Sequence, residues 1–381
     1  MTDTNFDYPK NNIGRELLPL TIINQTKREN LYFYLVGTSD TDTPQHHWYY
    51  LSNVNGDVTL CTPTNGTTDY SLPLTGTETT IQMPRLAGIR VYFSFDKKLE
   101  LTAGDDGIPG SPSGWGENPN FRTLFDWIEL NWVVNATDMT LGGNTTQVDM
   151  LGLPFGVSLT GFDADKNPQT LTTGFVRGGE RKQIMEALKQ APSPWNKLII
   201  SDEATGEDYR VISPYHGMEL NLFPRNQLDD YIDRVWEKYT TEKLTVSAED
   251  VEFTGQVKDG NLVFTDDAGD TVTFPKPTGF ITYTSGPVFT PDTKVASKAG
   301  VIQTILQAGF LRSTLLLTST IPDCTVADFY REEPVNHYGK IIHQFAPDGG
   351  AYAFGYDDVC ARKSQITVHN PRSAAITIFE F

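Results

Sequence analysis

At 381 residues and a net charge of −18, the chain is long enough for a large core. It is also too acidic, with no basic stripe, to suit a phosphate backbone, so nucleic acid is not an expected partner. Hydrophobic residues at 38%, aromatics at 11%, 32 Gly and 23 Pro exclude a disordered chain and favour a turn-rich, mainly β protein. No stretch of ~18 apolar residues occurs, so no membrane-spanning helix is expected.

Residues 17–176 read as short strands between turns. "LPLTIIN", "NLYFYLVG", "TTIQMP" and "GIRVYFSF" are rich in β-formers and bounded by Gly, Pro, Asn and Asp. The stretch from Gly104 to Asn120 is a long glycine-rich loop that matches neither a dinucleotide fingerprint nor a phosphate loop. It is followed by "FRTLFDWIELNW". As a strand, this segment points Ile128, Leu130, Trp132 and Val134 to one face and Trp127, Glu129 and Asn131 to the other.

The next apolar run, "TTQVDMLGLP", contains a charge, Asp149, where a buried strand would not tolerate one unpartnered. Strand parity sends Val148 and Met150 to the core and sets Thr145, Gln147 and Asp149 on the opposite face. With "NATDMTLGGN" as a symmetric connection centred on Met139, Glu129 falls opposite Asp149. Two carboxylates held together suit glycoside hydrolysis, in which one serves as proton donor and the other as base or nucleophile. Facing acidic residues on paired strands are more often simply solvated, and Trp127 on that face could be an ordinary half-buried aromatic.

Beyond Gly178 the texture changes. "ERKQIMEALKQ" and "NQLDDYIDRVWEKY" are amphipathic helices, the second with Leu228, Tyr231, Ile232, Val235, Trp236 and Tyr239 at helical spacing. "NKLIISDE" reads as a strand, "AEDVEFTGQVKDGNLVFTDDAGDTVTF" as a three-stranded meander, and "SKAGVIQTILQAGFL" as a helix. The expected fold class is therefore mainly β with an α/β insertion. A β-barrel or sandwich domain covers 1–177 and 346–381, resuming at "AYAFGYDDVC", and an inserted mixed α/β domain covers 178–345.

Three cysteines, Cys61, Cys324 and Cys360, allow one disulfide and a free thiol but no disulfide framework. There is no CxxC or HExxH pattern, so no metal is expected. "DADKN" from Asp163 begins like a calcium loop, but Pro168 replaces its glycine and Gly174 its bidentate glutamate.

"FDWIELNW" followed by "NTTQVDMLGLPFGV" resembles the paired motif of the family 64 glycoside hydrolases, β-1,3-glucanases related in fold to the thaumatin-like proteins. "YAFGYDDVCARKS" resembles their C-terminal cleft segment. The resemblance implies a thaumatin-like β domain, an inserted α/β domain and a wide groove between them. It implies an endo-acting, inverting β-1,3-glucanase with Glu129 as general acid and Asp149 as general base, needing no cofactor. Trp127 would stack on a sugar, Asn131, Thr145 and Gln147 would bind hydroxyls, and Asp357 and Asp358 would line the cleft. The implied partner is β-1,3-glucan such as laminarin, curdlan or cell-wall glucan, acted on by a secreted monomer whose signal peptide has been removed.

Two departures bear on this. The connector Asn135–Asn144 looks long for the family, and the chain lacks the dense disulfides of plant thaumatin-like proteins. A non-catalytic glucan-binding protein with the same groove is the alternative, and an acidic structural or adhesion protein a third. Directly opposed residues on paired strands stand only ~4.5–5.5 Å apart at Cβ, whereas inversion needs carboxyls roughly 6.5–9.5 Å apart. The connection is therefore expected to be irregular or the register offset, with Gly142-Gly143 allowing it.

Overall fold

The computed structural model describes residues 7–39, 47–63, 68–104, 107–113, 115–116, 118–135, 138–175, 177–248, 251–284, 292–361 and 364–381. Four residues of the glycine-rich loop (105, 106, 114 and 117) and two of the expected connector (136 and 137) lie outside them.

The strands run in chain order β1 (Leu17–Asn24), β2 (Leu31–Thr38), β3 (Trp48–Leu51), β4 (Val58–Leu60), β5 (Leu72–Leu74), β6 (Glu78–Pro84) and β7 (Ala87–Phe95). They continue as β8 (Leu124–Asn135), β9 (Asp138–Thr145), β10 (Met150–Leu151), β11 (Phe155–Phe162) and β12 (Pro168–Gly174). Next come α1 (Glu180–Gln190), β13 (Ile199–Ser201), β14 (Asp208–Ile212), α2 (Pro214–Glu219), α3 (Asp229–Thr241) and the strands β15 (Leu244–Ala248), β16 (Val251–Lys258), β17 (Asn261–Thr265) and β18 (Thr271–Phe274). The chain finishes with α4 (Gly279–Thr282), β19 (Asp292–Thr293), α5 (Ala296–Leu311), β20 (Thr320–Ile321), α6 (His337–Phe345) and β21 (Ile366–Ile378).

Twelve strands form one folded-over sheet in the order β12-β11-β21-β9-β8-β7-β2-β3-β4, with β1 joined to β21 and β6, and β5 to β2. The long β21 turns the corner. Its first residues, Ile366–His369, pair with β9, and its last, Ala374–Ile378, run parallel to β1. A register shift opposite it between Thr160 and Phe162 and a left-handed Asn370 (φ 43°) bend the strand between these halves. Alternating residues fill the space so enclosed: Leu18, Leu20 and Ile22 of β1, Phe33 and Leu35 of β2, and Ile128, Leu130 and Trp132 of β8. Val134, expected with them, lies past the end of that core and is exposed.

The opposite faces of β2, β7 and β8 are covered as well. Tyr34, Tyr92, Phe125 and Trp127 join a second core made with α1, α3, α5 and the six-stranded sheet β19-β18-β17-β16-β15-β20. The expected meander is β16–β18, turned at Asp259-Gly260 with both residues at positive φ, as a two-residue hairpin requires. The edge strands of this sheet, β19 and β20, are two residues each, too short to leave an alternation in the sequence.

The segment "AYAFGYDDVC", expected to resume the β part, carries no strand. Ala351, Ala353 and Phe354 pack into the second core, and the large sheet resumes at Ile366. Cys324 and Cys360 form a disulfide, while Cys61 is free and buried. Asp163 accepts hydrogen bonds from the backbone and side-chain nitrogens of Asn167, which closes the β11–β12 turn from within the protein.

Candidate active site

The β8–β9 hairpin decides where the carboxylates stand. Asn135 pairs with Asp138 and Glu129 with Asn144, so the turn is two residues and the ladder is regular. "NATDMTLGGN" is thus mostly the strand β9 rather than a connection, and the register is offset: Glu129 faces a residue five short of Asp149. Gly142 and Gly143 sit in regular pairs with Asn131 and Leu130 rather than in a bulge. A Cβ on Gly143 would stand 2.8 Å from Leu130 Cδ2, so close cross-strand packing explains the glycine there.

Cross-strand partners share a face, so Thr145 points with Ile128 into the sandwich and is buried. This corrects its assignment to the open face; Asn144 takes that position beside Glu129. The chain then leaves the large sheet. Residues 146–149 are not a strand, Val148 is only half-buried, and Met150 and Leu151 pair instead with Ile212 and Val211 of β14. Asp149 therefore stands at the passage from one sheet to the other, not in the middle of a buried strand.

Glu129 marks a boundary along β8. Phe125 and Trp127, on the same face, lie under the second core; Glu129 and Asn131 emerge beyond its rim onto a cavity of about 640 Å³. Arg90, opposite Glu129 on β7, lines the same cavity together with Trp48, Ser111, Asn144 and Thr367. Arg90 Nε lies 3.8 Å from Glu129 Oε1, and its guanidinium donates to Ser111 Oγ. Burial works against the Arg90 charge, but the Tyr92 hydroxyl, Glu129 and Asp149 outweigh it and hold the guanidinium above its ordinary value. Glu129 and Asp149 are both part-exposed, with side chains 42% and 34% accessible.

Asp149 is held from the other side. Its carbonyl accepts from Ser213 N, extending the β10–β14 ladder, and Ser213 Oγ caps α2 by accepting from His216 N. That turn brings His216 Nε2 to 2.9 Å from Asp149 Oδ1.

The other expected site residues fall into two groups. Asn131 lines the groove, where its Oδ1 accepts from Gly88 N. Asp358 is exposed. Trp127 is only 7% exposed, with its ring 6.1 Å from that of Tyr92, so it does not present the stacking face expected of it. Gln147 is buried and ties its segment to Tyr352 through backbone and side chain. Asp357 is 0% exposed, bonded to Arg312 Nη2, His343 Nε2 and Ala353 N. It braces the C-terminal segment instead of lining a cleft.

Arg90, Asn144, Trp48 and His216 were not singled out in the sequence. Alternation along "GIRVYFSF" could have found Arg90, since it is the charged residue in an otherwise apolar strand. Nothing local marks His216, which reaches the site from far along the chain.

The model of the glycoside hydrolase family 64 β-1,3-glucanases matches residues 16–378. Glucan endo-1,3-β-glucosidases of Arthrobacter sp. (strain YCWD3) and Cellulosimicrobium cellulans are each 30% identical over 96% of the chain. The chain spans 65% of the length of these two relatives. A laminaripentaose-producing β-1,3-glucanase solved with laminaritetraose superposes with a TM-score of 0.84 at 34% identity, covering 96% of this chain and 99% of that one. A family 64 β-1,3-glucanase domain from Clostridium beijerinckii shares the fold, with a TM-score of 0.74 at 24% identity over 96% and 98% of the two chains. With the family match running nearly end to end, the chain belongs to glycoside hydrolase family 64.

Proposed function

We propose that the protein is an endo-acting β-1,3-glucanase that hydrolyses β-1,3-glucan with inversion and releases short laminari-oligosaccharides. The observation that carries the reading is a pair of part-exposed carboxylates, Glu129 beside Arg90 on the groove and Asp149 near enough for its charge to act on the same guanidinium. A neutral glucan needs no such pair for binding alone, which favours turnover over a purely binding protein.

In this reading Glu129 gives its proton to the departing glycosidic oxygen as the bond to the anomeric carbon breaks. A water on the opposite face of the sugar attacks that carbon and loses a proton to Asp149. Asp149 is displaced from the direct cross-strand position, and an inverting mechanism requires its carboxyl to stand roughly 6.5–9.5 Å from that of Glu129. Asn131 and Asn144 on the groove floor are placed to bind sugar hydroxyls, and Trp48 supplies the aromatic wall. Asp358, exposed on the C-terminal segment, remains a candidate for a more distant sugar.

The protein is further proposed to act outside the cell, as a monomer. The Cys324–Cys360 disulfide suits an oxidising compartment, and among the described residues no helix is long and apolar enough to cross a membrane.

The test is reducing-sugar release from laminarin, with the anomer of the first product followed by NMR. Wild type should release sugars as the α-anomer, and Glu129→Gln should lose roughly 10²–10⁴-fold in kcat, the usual contribution of general acid catalysis. An unimpaired variant removes Glu129 from the mechanism, and a β-configured first product rules out inversion.

A further inference from the structure

Resting on the hydrolase reading above, we propose that His216 is a positioning residue for the water-activating carboxylate of Asp149, itself held by Glu219 and covered by Trp115. His216 Nε2 lies 2.9 Å from Asp149 Oδ1, and Nδ1 lies 2.8 Å from Glu219 Oε2. The indole of Trp115 stacks on the imidazole at 3.6 Å between centroids and 16° between planes. The Tyr215 ring stands edge-on at 5.2 Å. The Arg90 guanidinium and the Tyr338 hydroxyl are both near enough to feel the Asp149 charge.

The chemistry of this line of groups is constrained by proton counting. Each of the two N···O contacts needs one proton, so imidazole and two carboxyls share two protons and carry a net charge of −1 wherever those protons sit. The imidazole is thus polarised toward Asp149 from behind by a second carboxylate, while the stacked indole keeps the ring from turning. The His216 side chain is 6% exposed, against 34% for Asp149, so the support is buried and only the supported group reaches the groove.

Anchoring Oδ1 assigns Oδ2 to the water. An aspartate free of this anchor has a broad χ2 and spreads its oxygens over several orientations. Misplacement of a reacting group by about 1 Å costs on the order of 10²-fold in rate. Glu129 needs no comparable device, because a regular strand fixes its direction, whereas Asp149 sits on a bend between two sheets.

The test compares His216→Ala, His216→Gln, Glu219→Gln and wild type on laminarin. His216→Ala should lose roughly 10–100-fold in kcat, with KM changed less than about threefold. The amide nitrogen of Gln reaches where Nε2 stood, so His216→Gln should recover most of that loss. Glu219→Gln keeps an acceptor for Nδ1 and should fall between.

¹⁵N NMR of the His216 ring gives a readout that needs no turnover, since Asp149→Asn should shift the Nε2 signal. Wild type that fails to hydrolyse laminarin overturns the hydrolase reading and the role with it. Active wild type with His216→Ala equal in kcat overturns the positioning role alone, as does a His216 ring signal indifferent to Asp149→Asn.

Discussion

Asp357→Ala separates a bracing residue from a ligand-binding one. Asp357 Oδ1 accepts from Arg312 Nη2 at 2.9 Å, and Oδ2 accepts from His343 Nε2 and Ala353 N, both at 2.8 Å. Arg312 is 2% exposed, so removing the carboxylate strands a buried guanidinium, an imidazole nitrogen and a backbone N–H. Breaking a buried ion pair by deleting one partner typically costs about 3–5 kcal/mol. The unfolding constant should therefore rise by roughly two to four orders of magnitude, at ~1.4 kcal/mol per tenfold. Arg312 keeps the carbonyls of Asp357 and Val359, which places the expected loss toward the lower end of that range. Urea denaturation followed by tryptophan fluorescence, with KM for laminarin measured alongside, reads both properties. The exposed neighbour Asp358→Ala is the matched control and should stay within about 0.5 kcal/mol of wild type. An Asp357→Ala protein of unchanged stability and raised KM would show that the carboxylate faces substrate and would refute the reasoning.

Trp127→Ala should cost about 3–5 kcal/mol of stability, the usual range for a buried aromatic, and leave glucan affinity nearly unchanged; weakened binding at full stability would restore the stacking role. Burial lifts the Asp126 carboxyl to about 7 against three backbone N–H donors and Arg210. A raised folded value means the stability it contributes is full below its unfolded value near 3.8 and fades as pH rises through about 7. Urea midpoints of wild type should therefore fall over that window relative to Asp126→Asn, and parallel pH profiles would contradict the assignment. Burial likewise pushes the Cys61 thiol up to about 12, so native protein should resist iodoacetamide at neutral pH and take up one equivalent only after unfolding without reductant. Rapid labelling of the folded protein would count against that.

Periodicity carried the interior of the sandwich well. The alternation Ile128, Leu130, Trp132 is a property of one strand, and the core follows it. Parity also set Glu129 and Asn131 on the groove side, where the structure has them. It could not separate Trp127 from Glu129 on that same face, since what covers Trp127 is a core assembled from residues beyond Gly178. Thr145 was misassigned because one parity was run through a segment that changes sheets at residue 146. A change of sheet leaves no mark in alternation. Asp357 looked like a cleft residue because an acidic pair in a loop has no periodicity to oppose that reading. Its burial depends on Arg312 and His343, and no local pattern announces those partners. Asp149 was found for a sound reason, a charge among apolar residues, but its partner His216 stands 67 positions away.

The passage of the chain at Asp149 has a mechanical consequence. In the proposed mechanism the donor, Glu129, rides on the twelve-stranded sheet, while Asp149 is fastened to the seam Met150–Ile212 and to the helix at Pro214–Glu219. Turnover should then report how that seam is seated against the sheet. Mild denaturant that loosens the seam should silence hydrolysis while the sandwich still holds its hydrogen bonds, so inactivation should run ahead of unfolding. Insertions and deletions in the excursion between Leu151 and Val211 should be tolerated when they leave the seam in register, and a slip there should separate Glu129 from Asp149 without altering either residue.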